Sequence, residues 1–340
     1  MSARRAVAIG GGTGLPLVLR CLLEAGFDPT AVVTVADDGG SSGELRRELG
    51  VLPPGDIRNC LVALAEPGSA LASLFQYRFS QGSGLAGHAL GNLAIAALAD
   101  IEGGFAEGVE AAARLLGARG RALPSTLADV RLSGRDAHGI VITGYANDAG
   151  TDGPIAEVCM DPEAPTAYDP ALDAIGQAEV VVIGPGSLYT SIIPNLLVKG
   201  IPEALTKTHA IKIYVCNVMT QVGETDGFTA SSHLRALIEH KGNFLDYIVL
   251  NNGRVPLRLR ARYQLGGAEP VVADISEVEK LGVEAIGVDL VHKTDLVRHH
   301  PEKLANIILR LIYLEKTQQE QRRHPKNRQD NDQEHGLSLL

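Results

Sequence analysis

The chain contains no tryptophan, and its aromatic residues amount to only 4% of the total. So few rings exclude a stacking platform for single-stranded nucleic acid, which needs a ring face for successive bases. An excess of positive charge is also missing. The formal charge is −9, which argues against nonspecific attraction to a phosphate backbone and leaves room only for a local basic patch. Cysteines are sparse. Cys21, Cys60, Cys159 and Cys216 stand far apart and form no C-x-x-C pair, so neither a zinc site nor a disulfide framework is expected. Cys21 falls in an apolar helical stretch and Cys216 in an apolar strand, and both read as core residues rather than nucleophiles. No stretch approaches the roughly 18 apolar residues of a membrane span. The apolar run after Arg4 and Arg5 is broken by glycine too early for a signal peptide. These absences describe a cytoplasmic globular protein without a membrane span or a nucleic-acid partner, and 340 residues are enough to bury a full core.

What is present begins with an ordered stretch near the N-terminus. The apolar run from Ala6 to Ile9 leads into Gly10, Gly11, Gly12, Thr13 and Gly14, and an apolar-periodic helix is expected from Leu15 to Leu23. A second apolar run, Ala31 to Ala36, ends on Asp37 and Asp38. Strand, glycine turn, helix, strand and acid is the layout of a mononucleotide-binding unit. The glycines let backbone N–H groups turn toward a phosphate, and the helix N-terminus adds a partial positive charge. The dinucleotide fingerprint is broken, because G-x-G-x-x-G from Gly10 needs a glycine where Leu15 stands.

Further along, strands and helices alternate. Asp56 is placed to cap a helix from Ile57 to Ala65, and Ser69 to cap the next. Gly39 to Gly43 reads as a small-residue loop before one or two helical turns at Glu44 to Leu49. A helix from His88 to Ile101 puts His88 and Asn92 on one face, and another runs from Phe105 to Leu116. Residues 124–165 carry β-branched and alternating segments between polar turns, which predict a small antiparallel insertion. The α/β pattern resumes with strands at Val180–Ile183, Ile211–Cys216 and Tyr247–Leu250, with Ser231 or Ser232 capping the helix to His240. Short strands at Val271 to Ala273 and Ala285 to Val288 are expected at an edge or over the site. The last helix starts at Pro301 and ends near Lys316. The fold class is therefore α/β: a Rossmann-like, doubly wound, mostly parallel sheet with a small antiparallel β insertion. One domain spans residues 1–316, and the polar stretch 317–340 reads as a disordered tail.

Four loops rich in Gly, Ser and Asn follow these strands, at Gly10, Asp37, Gly184 and Asn217. In a doubly wound sheet they meet at the carboxyl edge, where ligands bind. Asp37 suits a ribose or, with Asp56, a magnesium ion beside phosphates, although Asp56 can equally be a plain helix cap. His88 is a candidate acid, base or neutral donor. Ser187 follows Gly184-Pro-Gly186 without a G-x-S-x-G elbow, so phosphate or sugar contact is the better reading than a nucleophile. Arg258, Arg260 and Arg262 alternate before Tyr263, which fits either a solvated edge strand or a flap whose ring stacks on a base. Arg298 is a second candidate for anion contact, and His299 and His300 read as surface residues.

The segments GGGTGLPLVLR, VTVADDGGSSGELR, LPPGDIRNCLVAL, LFQYRF, GLAGHALGNL, LGARGRALPST, GPGSLYTSIIPNLLV and IYVCNVMTQVGET together resemble the YvcK family of gluconeogenesis factors. That family is distantly similar to CofD, the phospholactate transferase of deazaflavin coenzyme synthesis. The resemblance spans about residues 7–312. It implies a Rossmann-like fold that binds a UDP-sugar, typically UDP-N-acetylglucosamine. It also implies a role in cell shape and wall synthesis during gluconeogenic growth, through a protein partner, and leaves self-association open. The implied pocket is Gly11, Gly12, Thr13, Gly14, Asp37, Asp38, Asn59, His88, Asn92, Gly186, Ser187 and Asn217, with Tyr263 and Arg298 on the sugar-nucleotide side. The alternative is a transferase with Mg²⁺ on Asp37 or Asp56, whose shared acids are matched here by Asp37, Asp38 and Asp56. Catalytic candidates are then Asp37, Asp56 and His88. The transferase's flavin-binding elements are not apparent in this sequence.

Overall fold

The apolar runs of the chain do not alternate with polar residues: Ala6 through Gly10 and Val180 through Ile183 are buried without a break. That pattern belongs to parallel strands covered on both faces. A computed structural model describes residues 4–136, 141–143, 155–293 and 297–323. In chain order its strands are β1 (Arg4–Gly10), β2 (Phe27–Val33) and β3 (Arg121–Pro124), then the trio β4 (Arg131–Asp136), β5 (Val141–Thr143) and β6 (Ile155–Asp161). They continue with β7 (Val180–Ile183), β8 (Ile211–Val215), β9 (Tyr247–Asn251) and β10 (Glu284–Val288), and end with the pair β11 (Val291–Lys293) and β12 (Val297–His299).

The main sheet has the order β10-β9-β8-β7-β1-β2-β3, and every neighbouring pair is parallel. With the antiparallel β4–β6 sheet set aside, this is the doubly wound order, with its reversal between β1 and β7. The trio confirms the antiparallel insertion. The edge strand foreseen at Ala285 forms as β10, whereas residues 271–273 contribute only one isolated bridge, Val272 to Thr229.

The first helices are α1 (Leu15–Glu24), α2 (Gly40–Leu49), α3 (Gly55–Leu64), α4 (Ala70–Gln76), α5 (Leu90–Glu102) and α6 (Phe105–Leu116). They continue with α7 (Asp169–Gln177), a π-helical turn over Leu188–Ile192 that runs into α8 (Ile193–Leu197), α9 (Ile201–Lys207) and α10 (Ala230–Lys241). The last are α11 (Leu257–Leu265), α12 (Ile275–Glu279) and α13 (Pro301–Arg323). Right-handed crossovers put helices that lead outward from β1 on one face and those that lead outward from β7 on the other. Accordingly α1 packs on α3 and α13, while α8 packs on α9 and α10. One continuous apolar core runs through both layers.

Several local expectations need correction. Residues 258–263 form α11 and not a strand, so the arginines do not share one sheet face. Arg and Leu are strong helix formers, and the segment has no partner strand to recruit it. The Gly39–Gly43 loop is mostly absorbed into α2, where small residues allow close approach: a Cβ at Gly43 would strike the Asp38 carbonyl. The α3 helix begins at Gly55 with Pro54 at its N-cap, and Asp56 makes no capping bond. Thr229, not Ser231 or Ser232, caps α10. The α5 helix starts at Leu90, which leaves His88 just ahead of it. Finally, α13 continues through Thr317 to Arg323, because the Gln, Glu and Arg of that stretch favour helix without an apolar face. The rest of the expected tail, 324–340, lies outside the described residues.

The two loops at the reversal point are pressed together. An added Cβ on Gly14 would run into the carbonyl of Pro185. Asn195 ties them further by donating to the Gly10 and Ser191 carbonyls at 3.0 and 2.8 Å. Gly14→Ala is therefore expected to destabilise the fold by about 2–4 kcal/mol in denaturant unfolding, and an unchanged midpoint would show that the loops tolerate separation.

Candidate functional site

Two cavities open at the carboxyl edge of the sheet, one on each side of the β7 loop. The larger, of about 480 Å³, is lined by Thr13 and Gly14 from the β1 loop and by Gly186, Ser187 and Asn217 from the loops after β7 and β8. Asn59 from α3 completes its polar wall, and Arg20 and Gln76 stand on its far side. The smaller, of about 250 Å³, is lined by Gly12, Asp37, Asp38 and Asp56, with Thr190, Ser191 and Glu224 opposite. Gln221 lines both. All four of the expected loops thus converge at the sheet edge.

The glycine turn is built around an acid. Gly12 has a φ of +65°, in the left-handed region. A Cβ at Gly11 would stand 2.6 Å from an Asp56 carboxylate oxygen. The Asp56 carboxylate accepts the Gly12 N–H, and its burial pushes it up to about 6, helped by the nearby charge of Asp37. Asp37 is also shifted upward by burial, against the pull of the Gly39 N–H, which it accepts at 2.9 Å. Asp38 is different, because Arg46 donates to it at 2.5 Å while also pairing with Asp129.

Hydrogen-bond bookkeeping decides what the larger cavity offers. The Asn217 amide oxygen accepts the Gly186 N–H at 3.2 Å, and its nitrogen donates to the Gly186 carbonyl at 2.7 Å. The Asn59 amide oxygen is occupied by Arg58 at 2.8 Å and by Gln76 at 3.4 Å. The Ser187 hydroxyl donates to Glu224 and accepts from Thr190 Oγ1 at 2.5 Å. It is therefore engaged within the protein, and of the expected hydroxyl and backbone contacts the backbone N–H is the one without a protein acceptor among the described residues. The N–H groups of Thr13, Gly14 and Ser187 find no acceptor among the described residues. The wall presents these N–H groups, the NH₂ of Asn59 and the second N–H of Asn217, so it is weighted toward donors.

His88 and Asn92 line neither cavity. Both are buried against Ser41, His88 Nδ1 lying 3.0 Å from its hydroxyl and Asn92 donating to it at 3.0 Å. Arg58 donates to Asn92 at 2.9 Å as well as to Asn59, so this network supports the site from behind. Tyr263 does not line the cavity but packs against the small cluster of Val218 and Val291, of which Val218 lines it. Arg298 lies on β12, but its side chain is outside the described residues. His299 is buried, not on the surface. It lines the larger cavity and hydrogen-bonds the Cys216 carbonyl at 2.9 Å, and its pKa is lowered by burial to about 4. Cys21, Cys60 and Cys216 are buried and unbridged, as expected of core residues.

Glu224, Gln221, Thr190 and Arg20 were not singled out in the sequence. The first two lie inside the segment IYVCNVMTQVGET, where nothing in the local pattern marks one polar residue above another. Thr190 sits three residues after Ser187 on the π-helical turn, a spacing that was available.

A parallel sheet with its reversal between β1 and β7, and glycine loops meeting there, defines a doubly wound α/β protein with a crevice at the switch point. The family model of 2-phospho-L-lactate transferase CofD matches residues 6–291. The gluconeogenesis factor of Halalkalibacterium halodurans is 45% identical over 91% of this chain and 97% of its own length. That of Bacillus subtilis is 44% identical over 92% and 99%. A crystal structure of a UPF0052 family protein from Bacillus halodurans superposes with a TM-score of 0.87 at 44% identity, covering 91% of this chain and 99% of that one. The chain belongs to the gluconeogenesis factor (YvcK, UPF0052) family within the CofD group.

Because the Asp56 carboxyl is raised from 3.8 to about 6, the folded state holds its proton more tightly than the unfolded chain. Folding stability from this group is fully present below about pH 4 and falls as pH rises toward 6. Asp56→Asn removes that loss. It is expected to raise stability at pH 7 by about 1–3 kcal/mol and to flatten the dependence between about pH 4 and 6 in denaturant unfolding. An unaltered pH profile would place the carboxyl in an ordinary solvated setting.

Proposed function

We propose that this chain is a sugar-nucleotide-binding regulator. Its ligand is UDP-N-acetylglucosamine, and it serves wall-precursor synthesis and cell shape during gluconeogenic growth through a protein partner. The observation that carries the reading is the donor-weighted wall of the larger cavity. Its acceptors on Asn59, Asn217 and Ser187 are occupied internally, while backbone N–H groups of the β1 loop remain open at the N-terminus of α1. Such a wall complements a diphosphate, which offers only acceptors and carries negative charge. The name of the relatives, gluconeogenesis factor, supports the metabolic setting.

A transferase reading has one observation of its own. Asp37 and Asp56 both line the smaller cavity, each pushed upward by burial, Asp37 further by Asp38 and Asp56 further by Asp37. Magnesium commonly uses one or two carboxylates together with substrate phosphates. These two residues fit that role, although no group of three metal-binding side chains occurs among the described residues. When bound, the ion would supply positive charge against a phosphoryl oxygen. On the protein side, Gly39 N–H orients Asp37 and Gly12 N–H orients Asp56.

Calorimetric titration with UDP-N-acetylglucosamine is expected to show saturable binding. Asn217→Ala, which frees the Gly186 loop, should weaken it about tenfold, the scale of a lost buried hydrogen bond. Release of UMP or UDP with Mg²⁺ and an acceptor would favour the transferase. Absence of binding by the folded chain would overturn the sugar-nucleotide reading.

A further inference from the structure

Glu224 occupies a position that neither the sequence motifs nor the family likeness explains. It is only 7% exposed and stands in the partition between the two cavities. Its carboxylate accepts from the Ser187 hydroxyl, from Gln221 Nε2 at 2.6 Å and from Thr190 Oγ1 at 3.5 Å, and it also receives the Tyr189 N–H. The Thr190 proton is committed mainly to Ser187 Oγ at 2.5 Å, so three full donors and one long, shared contact serve the two carboxylate oxygens. Every partner is neutral. Among the described residues Glu224 forms no ion pair, and the acids across the smaller cavity are Asp37, Asp38 and Asp56, of which only Asp38 is paired with arginine.

Two consequences follow for the larger cavity, which Ser187 and Gln221 also line. Glu224 turns the Ser187 proton inward, away from any ligand. Burial raises the Glu224 carboxyl against the pull of these hydrogen bonds, and once ionised it places a negative charge directly behind the β7 loop that no ion pair offsets among the described residues. The same cavity is also lined by Thr13 and Gly14 at the N-terminus of α1 and by Arg20, which forms no ion pair among the described residues. The potential along the cavity is therefore graded, favourable to an anion beside Thr13, Gly14 and Arg20 and unfavourable beside Ser187.

Resting on the sugar-nucleotide reading, we propose that Glu224 is the positioning and specificity-determining residue of this cleft. It holds the β7 loop in place and selects a diphosphate capped by an uncharged, hydroxyl-bearing group over a nucleoside triphosphate. A sugar adds no charge at the Ser187 end. A third phosphate brings further negative charge toward a buried carboxylate that no cation pairs with among the described residues, and such unlike ligands are separated by repulsion as much as by attraction.

The test compares affinities for UDP-N-acetylglucosamine and UTP by calorimetry, with a chelator present so that no divalent ion shields the phosphates, at about pH 8 where carboxylates are ionised. The wild-type chain is expected to prefer the sugar nucleotide. Glu224→Gln keeps the size and removes the charge, and should narrow that preference by about tenfold through tighter UTP binding. Ser187→Ala keeps the charge, so it should retain the preference even if both affinities fall. A purely structural role would weaken both ligands alike and leave their ratio unmoved. Binding of both nucleotides with the same ratio in wild type and Glu224→Gln overturns the inference alone, as does a wild-type preference for UTP. Failure of the wild-type chain to bind either nucleotide overturns the sugar-nucleotide reading and the inference with it.

Discussion

The contact between the β1 and β7 loops is the constraint on which the site depends. Gly14 lies so close to the Pro185 carbonyl that no side chain fits between them, and Gly186 approaches the Gly11 carbonyl in the same way. Asn195, fully buried, bonds the Gly10 carbonyl from the far side. Two strands adjacent in the sheet but far apart in sequence thus deliver their loops as one surface. Without that contact the open N–H groups of Thr13, Gly14 and Ser187 would not line one cavity.

Around this contact the protein has divided its polar chemistry. Neutral amides and backbone donors line the larger cavity, with their acceptor atoms engaged by neighbours. Carboxylates line the smaller one, and three of them, Asp37, Asp56 and Glu224, are raised by burial and form no ion pair among the described residues, while Arg46 is committed to Asp38 and Asp129. The division is maintained by a second tier of buried groups. Arg58 fixes the amides of Asn59 and Asn92, and Ser41 holds His88 and Asn92 together. Desolvated polar groups of this kind are costly unless every partner is present, so the network orients the cavity wall more rigidly than exposed side chains could.

The errors of the sequence reading share a cause. The α11 segment has period-two arginines, but period alone cannot say whether a strand has a neighbour to pair with, and here it does not. Asp56 occupies a natural capping position, yet the turn above it draws its carboxylate to Gly12 instead. His299 sits in a polar run and still ends up buried, because β12 pairs with β11 and carries it against the Cys216 carbonyl.

The sequence by itself determined the layering and the location of the crevice. Continuous apolar runs, glycine turns and alternating helices leave little choice but a doubly wound parallel sheet, and in that topology the loops after β1, β2, β7 and β8 must share one edge. Long motifs also established the family. Only the tertiary structure decided which polar atoms remain open. A hydroxyl or amide has the same identity whether it faces a ligand or a neighbour, and its availability depends on partners distant in the chain. Glu224 lies 37 residues from Ser187, and Arg58 is 34 residues from Asn92. Local pattern carries no record of such pairings, which is why it does not show that the Ser187 hydroxyl is engaged by Glu224 and Thr190.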